Sequence, residues 1–480
     1  MMRINGQQQT ALLPITFMER LRSKNLMRGQ ATIMAFATLL FLVLMTLATY
    51  NISQMTHGKM QTMNAADAGA YAAAIVAARD ANFIAYTNRA MVANHVVVGQ
   101  LVSMTSLAAM FEDMAMKLKW VMRILGLIPP LAFLQKVADV LEEIENTLAK
   151  VPEYMAKIIS AQDKYINALS WLQSGVRALT LSDAEEAVEK VIKANDKNEE
   201  LKWKLDSGIG ALTIANNVNA FLNLSSQKND DKNLSRFADV VRNSRDGFTT
   251  RRNWGPPDLF AILIGGDDNV FQGGTNLSSD NKTWVGLDGL KVTWLDWDWD
   301  DGCWPCRDEE PLAYGGAVTG SSSASDYRRI INMTRRTRDA AYNARKTEMA
   351  NSYNGLRPYH ELNKIGEGHD KSLPFVVLVY KAIDNKGTPN ANKTFGTGAG
   401  DNFYRLEERR KELMGVAAAE TYFKRPSLED YRNGDKTASA LYINRRGYEK
   451  GVYASLFSPY WQARLTNLSP EAATALGALD

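Results

Sequence analysis

Residues 29–58 read GQATIMAFATLLFLVLMTLATYNISQMTHG, and no Lys, Arg, Asp or Glu occurs between Arg28 and Lys59. The central part, residues 31–50, is apolar apart from its threonines. A helix of about 20 such residues, rising 1.5 Å per residue, spans the roughly 30 Å hydrocarbon core of a bilayer. We therefore predict one transmembrane helix over residues 29–52.

The charges on either side of this helix predict its orientation. Basic residues dominate the segment before it, with one acid among them: Arg3, Glu19, Arg20, Arg22, Lys24 and Arg28. The nearest charges after it balance: Lys59, Asp67, Arg79 and Asp80. Because an excess of basic residues stays in the cytoplasm, we predict that residues 1–28 form a cytoplasmic basic leader. The bulk of the chain would then lie in the periplasm of a bacterium, anchored in the inner membrane by a single pass.

A cleaved secretory signal and prepilin-type processing are the two alternatives to an uncleaved anchor. A cleaved secretory signal has a shorter apolar region and a small-residue cleavage site, and neither is found here. Prepilin-type processing between Gly29 and Gln30 stays open, because a basic leader, a glycine and an apolar helix follow one another. The acidic residue usual at the fifth position after such a cleavage is replaced by Met34.

The apolar helix is predicted to continue outward as a long rod, at least to Arg79, with an extension to Leu107 left open. Residues 59–80 are rich in alanine and contain no proline, and alanine has the highest helix propensity. A helix-packing segment of mostly small residues lies here: Asn64, Ala65, Ala66, Asp67, Ala68, Gly69 and Ala70. Such faces let helices approach closely, so the segment packs either on partner helices or on its own domain, and both interpretations stay open.

The chain beyond the membrane predicts an α+β fold in two parts. Residues 53–250 are predicted to be a helical stalk and helical domain, interrupted by a turn at Pro129-Pro130. Further helices are expected from Ser182 to about Leu205, and over 209–224 and 234–253. Residues 251–480 form a mixed α+β domain, in which LPFVVLVY at 373–380 predicts a buried strand. The segment 406–425 is expected to begin as a helix, and strands are expected over 259–264, 283–287 and 291–299.

The only cysteines, Cys303 and Cys306, form a C-W-P-C motif. In an oxidising compartment they are expected to be bonded to each other. The spacing is also that of thiol oxidoreductases, whose first thiolate lies at a helix N-terminus in a βαβ unit. No βαβ pattern surrounds this motif, and acids follow it, which raise a thiol pKa. A structural disulfide is therefore favoured over redox catalysis.

The neighbouring run Asp296, Asp298 and Asp300 alternates with tryptophans. Its spacing suggests an EF-hand loop, but the glycine falls one position late and Arg307 replaces the bidentate glutamate. A strand with Leu295, Trp297 and Trp299 facing the core explains the alternation better, and cation binding stays open.

No catalytic or cofactor-binding constellation is found in the sequence. The four histidines have no metal-ligand spacing, and no nucleophile elbow, Walker loop or dinucleotide fingerprint occurs. No basic block interleaved with aromatic residues occurs either, so nucleic acid is not expected as a partner. We expect a non-enzymatic protein without metal or cofactor.

The N-terminal pattern resembles that of tight-adherence (Tad, or Flp) pilus-assembly proteins of the TadG-like family. The corresponding residues are Arg28, Gly29, Lys59, Asn64, Ala65, Ala66, Asp67, Ala68 and Ala70. Weaker similarity continues at 244–252 (SRDGFTTRR), 273–288, 309–317, 417–426 and 455–465. The D-x-S-x-S metal motif that many relatives carry is not found.

The resemblance implies an inner-membrane-anchored component of a pilus-assembly or secretion machine, acting through helix packing and periplasmic protein contacts. Its partners would be other assembly proteins or pilins, with homo-oligomerisation possible. Two alternatives stay open. One is a minor pilin-like subunit, processed after Gly29 and incorporated into the filament. The other is a membrane-tethered periplasmic thiol-disulfide oxidoreductase using Cys303 and Cys306.

Overall fold

The computed structural model combines long helices with antiparallel sheets. It describes residues 17–196, 201–205, 222–225, 232–255, 269–298, 303–320, 327–330, 332–362, 372–382, 412–424 and 454–467. The helices are α1 (Phe17–Leu125), α2 (Leu134–Leu148), α3 (Val151–Asn195), α4 (Lys232–Asn243), α5 (Gly247–Thr250) and α6 (Arg335–Asn343). The predicted α+β class is confirmed.

The strands run from β1 to β11. They are β1 (Leu201–Leu205), β2 (Leu222–Ser225), β3 (Arg252–Trp254), β4 (Val270–Leu277), β5 (Trp284–Asp298), β6 (Cys303–Val318), β7 (Arg345–Lys346), β8 (Tyr359–Leu362), β9 (Ser372–Ala382), β10 (Glu412–Phe423) and β11 (Trp461–Thr466). Three sheets have the orders β3-β4-β5-β6-β7, β1-β9-β10-β11 and β2-β8.

Helix α1 is longer than its sequence predicts. It runs unbroken for 109 residues, well past Leu107, because neither proline nor a glycine pair interrupts it. It ends where Gly126 precedes a 3-10 turn over Pro129–Leu131, as expected for Pro129-Pro130. The return helix α2 is antiparallel to the end of α1, since Lys119 pairs with Glu145 and Arg123 with Glu142.

Several predicted helices are corrected. Ser182 lies inside α3 rather than at a helix start, because the residues before it are already helical and leave no free N-terminus to cap. The helix ends at Asn195, and residues 201–205 form β1 instead of its continuation. The end of the helix expected over 209–224 lies in β2, and its remainder lies outside the described residues.

Two further helical predictions and the strand predictions have mixed outcomes. The helix expected over 234–253 divides into α4 and α5, and the chain then enters β3. The segment 412–423, including its three alanines, is strand β10, because packing overrides helix propensity. Strand 373–380 is confirmed within β9, and the two strands expected within 283–299 are one strand, β5. Residues 259–264 lie outside the described part.

The chain groups into two compact units. The first comprises Met1–Gly69, Glu189–Leu205 and Val376–Ala417, and the second comprises the remaining segments. In the first unit, β1 pairs antiparallel with β9, Leu201 opposite Lys381. The domain boundary near residue 250 stays a prediction.

In the first unit, α1 and β10 approach each other closely. The backbone of Gly58 faces Leu413, and a Cβ placed on Gly415 would lie 2.5 Å from the Thr62 carbonyl. One helical turn from Gly58 to Thr62 advances about 6 Å, which matches the advance of two strand residues. Lys59 also donates to the carbonyl of Met414 at 2.5 Å.

In the second unit, α1 packs across one face of the β3–β7 sheet and α6 packs on the other. On β5, Trp284 and Gly286 face α1, whereas Leu287 and Gly289 face α6. This alternation is the period of two expected for a strand covered on both faces. Gly315 of β6 lets the α1 backbone at Ala109 and Met110 come within van der Waals distance of the sheet, and Gly286 leaves room for the Val102 and Ser106 side chains.

We predict that Gly315→Val strongly destabilises the chain. A Cβ at Gly315 would overlap the backbone nitrogen of Met110 in α1, and a helix backbone cannot shift without disturbing its hydrogen bonds. The expected loss is about 3 kcal/mol, measured as a lower thermal unfolding temperature of the full chain in detergent. Gly247→Ala is the control, because nothing lies within 4 Å of its Cβ position, and an equal loss there would contradict the explanation.

Candidate functional site

The apolar segment of α1, residues 31–50, exposes its large apolar side chains to the surroundings of the helix. Its large side chains are exposed all around the helix, from Ile33 at 73% to Leu47 at 39%. Leaving such side chains in water costs about 1.5–3 kcal/mol each relative to burial. The twelve large apolar residues exposed here therefore represent a cost on the order of 20 kcal/mol, more than the usual stability of a whole domain.

The polar atoms of this segment are satisfied within the helix. The hydroxyls of Thr38, Thr46 and Thr49 donate to the carbonyls of Met34, Leu42 and Met45, at 2.9, 2.6 and 2.8 Å. A hydrocarbon environment requires such polar atoms to be hydrogen-bonded within the protein. Among the described residues, one helix is long and apolar enough to cross a membrane, and this segment is its apolar part.

The helix-packing segment 64–70 follows on the same helix, and its small residues are covered by the chain itself. Ala65, Ala66 and Ala70 are completely buried, and Gly69 is buried as well. Asn64 is exposed, and Asp67 and Ala68 are half-buried. The structure therefore favours the interpretation in which this face packs on its own domain.

Strand β10 is made of small residues where it lies nearest to α1. Its buried positions alternate along the strand and include Gly415, Ala417, Ala419 and Thr421. In the second unit, the Thr421 hydroxyl donates to the carbonyl of Ala74 at 2.7 Å. Small residues on both elements bring helix and strand together, so the alanines have a structural role within the chain.

The second unit contains a buried ion pair that the sequence patterns did not predict. The Arg252 guanidinium donates to both oxygens of Asp288, at 2.5 and 2.9 Å, and both side chains are 1% exposed. Ser106 of α1 donates to the same carboxylate. Burial raises the pKa of Asp288, and the guanidinium opposes that rise. The pair ties β3, β5 and α1 together.

The motif SRDGFTTRR, noted only as a resemblance, supplies this arginine and a helix cap. Asp246 accepts from the backbone of Thr249 at 2.7 Å, which caps α5, and also from Gln100 of α1 at 2.5 Å. Arg245 donates to the carbonyl of Thr275. These contacts of the motif are structural, because they cap α5 and join it to α1 and to β4.

Cys303 and Cys306 lie in strand β6, with backbones opposite Asp298 and Asp296 of β5. The pairing is irregular here, because three residues of β6 lie opposite two residues of β5. A strand lacks the helix N-terminus that activates oxidoreductase thiols. The cysteine side chains lie outside the described part, so the disulfide stays a prediction.

The aspartate run is described only in part. Asp296 and Asp298 belong to the backbone of β5, in agreement with the strand interpretation. Asp300 and the side chains of the other two lie outside the described part. In the portion of the chain that is described, no group of three or more His, Cys, Asp or Glu residues could hold a metal ion.

Among the histidines in the described part of the chain, His95 of α1 has the most strongly shifted pKa. It is fully buried, and its Nδ1 lies 2.8 Å from the Tyr353 hydroxyl. Phe237 meets the ring edge-on. Burial, and secondarily the charge of Arg357, lowers the pKa of His95 to about 3. The side chain is therefore neutral at physiological pH and belongs to the core of the second unit.

The processing residues Gly29 and Gln30 lie within the unbroken backbone of α1, and their side chains are outside the described part.

Comparison with known proteins gave one family match. The model described as putative Flp pilus-assembly TadE/G-like matches residues 29–79, which cover the apolar segment and the helix-packing segment. The resemblance read from the sequence is confirmed there. No curated protein and no solved structure matches the chain.

We predict that Ala66→Leu destabilises the chain, because Ala66 has no exposed surface and overpacking costs about 1–3 kcal/mol. Ala68→Leu is the matched control, since Ala68 is half-buried on the other side of the helix. Thermal unfolding of the full chain in detergent measures both. Equal unfolding temperatures for the two variants would contradict packing of this face within the chain.

We predict that acid destabilises the fold partly through His95. The unfolded chain binds a proton near pH 6.5, whereas the folded chain keeps His95 neutral down to about pH 3. Stability contributed by the neutral form is therefore lost as pH falls below 6.5. His95→Phe should flatten the dependence of unfolding temperature on pH between 7 and 4. The exposed His57, changed to Phe, is the control, and an unchanged slope in His95→Phe would contradict the assignment.

Proposed function

We propose that this chain, whose residues 29–79 carry the Tad pilus-assembly segment, is a membrane-anchored assembly component of a Tad pilus. The observation that carries the proposal is the apolar segment 31–50, which is exposed around the whole helix and lies inside the family match. Only hydrocarbon or a surrounding protein bundle would cover a helix on all sides. A single pass through the inner membrane satisfies that requirement with one chain.

The orientation follows from the flanking charges. The basic leader stays in the cytoplasm by the positive-inside rule, and the chain beyond residue 52 then functions in the periplasm. The protein acts by contacts rather than by catalysis. What supports this role is the structural use of its conspicuous polar groups: Arg252 with Asp288, Asp246 and His95 all hold α1 or the sheet in place.

The packing of β10 on α1 supports a rigid part of the chain outside the membrane, to which other proteins bind. Because the small residues of α1 pack within the chain, pilins or assembly proteins would bind other surfaces than the alanine face. The anchor holds the periplasmic units near the site of pilus assembly, and these units supply the contact surfaces.

The proposal is tested by placing two arginines in the middle of the anchor. Leu40→Arg combined with Leu44→Arg raises the free energy of membrane insertion by about 5–7 kcal/mol. We therefore expect the variant to be lost from the membrane fraction and to assemble no pili. Leu40→Ile with Leu44→Ile is the control and should retain both. Retention of the arginine variant in carbonate-washed membranes, with pili still formed, would contradict a transmembrane anchor.

Mass spectrometry of the N-terminus separates an anchor from a filament subunit. A full-length N-terminus found in membranes and absent from sheared filaments supports the fixed anchor. A chain beginning at Gln30 and recovered from filaments would replace this proposal with a processed, pilin-like subunit.

A further inference from the structure

The hairpin formed by the end of α1 and by α2 closes in an apolar turn. Residues 124–134 read ILGLIPPLAFL and contain no polar side chain. They include the last residues of α1, the 3-10 turn over Pro129–Leu131 and the first residue of α2. We call residues 124–134 the hairpin tip. An apolar stretch of this length is too short to span a bilayer and is typical of segments that are buried or enter a membrane interface.

The hairpin tip is exposed rather than buried. Its large exposed side chains are Leu127 at 77%, Ile124 at 63%, Phe133 at 62%, Ile128 at 48% and Leu125 at 38%. They come from the end of α1, from the turn and from the residue before α2. They therefore surround the tip and do not form one face. Another helix or a flat protein surface would cover one side of the tip and leave the other side in water.

The polar backbone at the end of α1 is satisfied within the hairpin. The last four carbonyl groups of a helix have no partner in that helix and are often left to water. In α1 each of these four carbonyls accepts a hydrogen bond from the turn or from the start of α2. The donors and acceptors are Gly126 to Met122 at 2.9 Å, Leu127 to Ile124 at 3.2 Å, Ile128 to Leu125 at 3.1 Å, and the Gln135 side chain to Arg123 at 3.0 Å.

The turn itself adds few backbone donors. Pro129 and Pro130 have no N–H group, and the N–H of Leu131 donates to the carbonyl of Ile128 at 2.8 Å. Ala132 donates to the carbonyl of Pro129 at 3.4 Å. A hydrocarbon environment tolerates polar backbone groups only where they are bonded within the protein. The hairpin tip meets this condition at the end of α1 and in the turn.

Residues that are common at membrane surfaces lie directly behind the hairpin tip. Arg123 precedes it on α1, and Gln135 and Lys136 follow it on α2. Trp120, one helical turn before the tip, is 58% exposed. Tryptophan is enriched at membrane interfaces, and long basic side chains can lie along apolar surface while their charge stays in water. This order of residues suits insertion to a depth of about 5–10 Å.

We propose that the hairpin tip inserts into a lipid surface other than the bilayer of the anchor. The tip and the apolar segment 31–50 belong to one unbroken helix, α1. The roughly 75 residues between them extend about 110 Å along that helix. The tip therefore cannot return to the membrane that the helix leaves. The inference rests on the membrane anchor proposed above, and with that anchor the tip meets the lipid leaflet on the far side of the periplasm.

The two lipid contacts of α1 differ in strength. A transmembrane helix is held almost irreversibly, whereas a short apolar segment at headgroup depth binds reversibly. The tip would thus attach and detach while the anchor stays in place. The insertion is driven by apolar surface, so it does not require anionic lipid.

Flotation with lipid vesicles tests the insertion on the full chain. The protein is reconstituted in nanodiscs, which cover the anchor, and is then mixed with vesicles of phosphatidylcholine. We expect the particles to float with the vesicles. Leu127→Ser combined with Phe133→Ser should weaken binding about ten-fold or more, because two large side chains no longer transfer into hydrocarbon. Equal binding by the variant and the natural chain would overturn the proposal.

The matched control changes two exposed leucines far from the tip. Leu172 and Leu179 of α3 are 51% and 56% exposed. The neighbouring Gln173 contacts Asn88 of α1, which lies about 50 Å along the helix from the tip. Leu172→Ser combined with Leu179→Ser should bind vesicles like the natural chain, and both double variants should keep its unfolding temperature. An equal loss of binding in the two double variants would overturn the tip as the site.

Tryptophan quenching gives an independent measurement. Vesicles of brominated phosphatidylcholine quench a tryptophan that contacts their lipid, and we expect them to quench Trp120. Trp120→Phe should therefore remove the quenching that the vesicles cause. Trp171→Phe is the control, because Trp171 is 69% exposed but lies on α3, and this variant should keep the quenching. Quenching that persists unchanged in Trp120→Phe would overturn the insertion.

Other outcomes identify a different occupant or a failed anchor. Particles that pair in the absence of vesicles, and stop pairing in the tip variant, would replace the lipid with a second copy of the chain. Vesicle binding that disappears at high salt would replace insertion with charge attraction. A chain without a working anchor would fail to enter nanodiscs. A chain with a working anchor and an inert tip would enter nanodiscs and leave the vesicles unbound, which overturns this inference alone.

Discussion

Helix α1 comes into close contact with its neighbouring strands at glycines, and the folded units depend on that approach. Gly415 of β10 lies against Thr62, and Gly315 of β6 lies against Met110. A side chain at either position would separate the two elements. The alanines of α1 and β10 have the same effect, since they carry enough apolar surface to bury and too little volume to hold the backbones apart.

The polar groups lie where the packing leaves room for them. Arg252 and Asp288 are buried beside Ser106, and Asp163, Ser170 and Gln173 line the inner face of α3. Unpaired, each would cost several kcal/mol, so the hydrogen bonds that satisfy them also fix which elements meet. Buried apolar residues of α3, among them Ile159 and Ile166, lie beside these polar groups and complete the core.

The sequence predicted best the features that depend on local composition. The apolar segment, the length of α1 as far as Arg79, the turn at Pro129-Pro130 and strand β9 follow from runs of one residue class. Sequence-based prediction failed where contacts between residues far apart in the chain decide the structure. Segment 406–425 is expected to begin as a helix, but Glu412 and Leu413 at the end of that expected start already lie in strand β10. Ser182 has a capping pattern but lies within a helix that has already begun. The Arg252–Asp288 pair joins residues far apart in the chain, and no spacing rule could bring them together.

The unbroken course of α1 has a consequence for the membrane segment. Between residues 50 and 58 the helix contains no proline, kink or turn that would let one part rotate about the axis independently of the other. The contact of Gly58 and Thr62 with β10 therefore sets the rotational phase of residues 31–50. Each residue adds 100° to that phase, so a strand contact beyond residue 58 fixes the direction in which each apolar side chain of residues 31–50 points around the helix axis, and with it the face that the proposed membrane anchor would turn toward neighbouring helices.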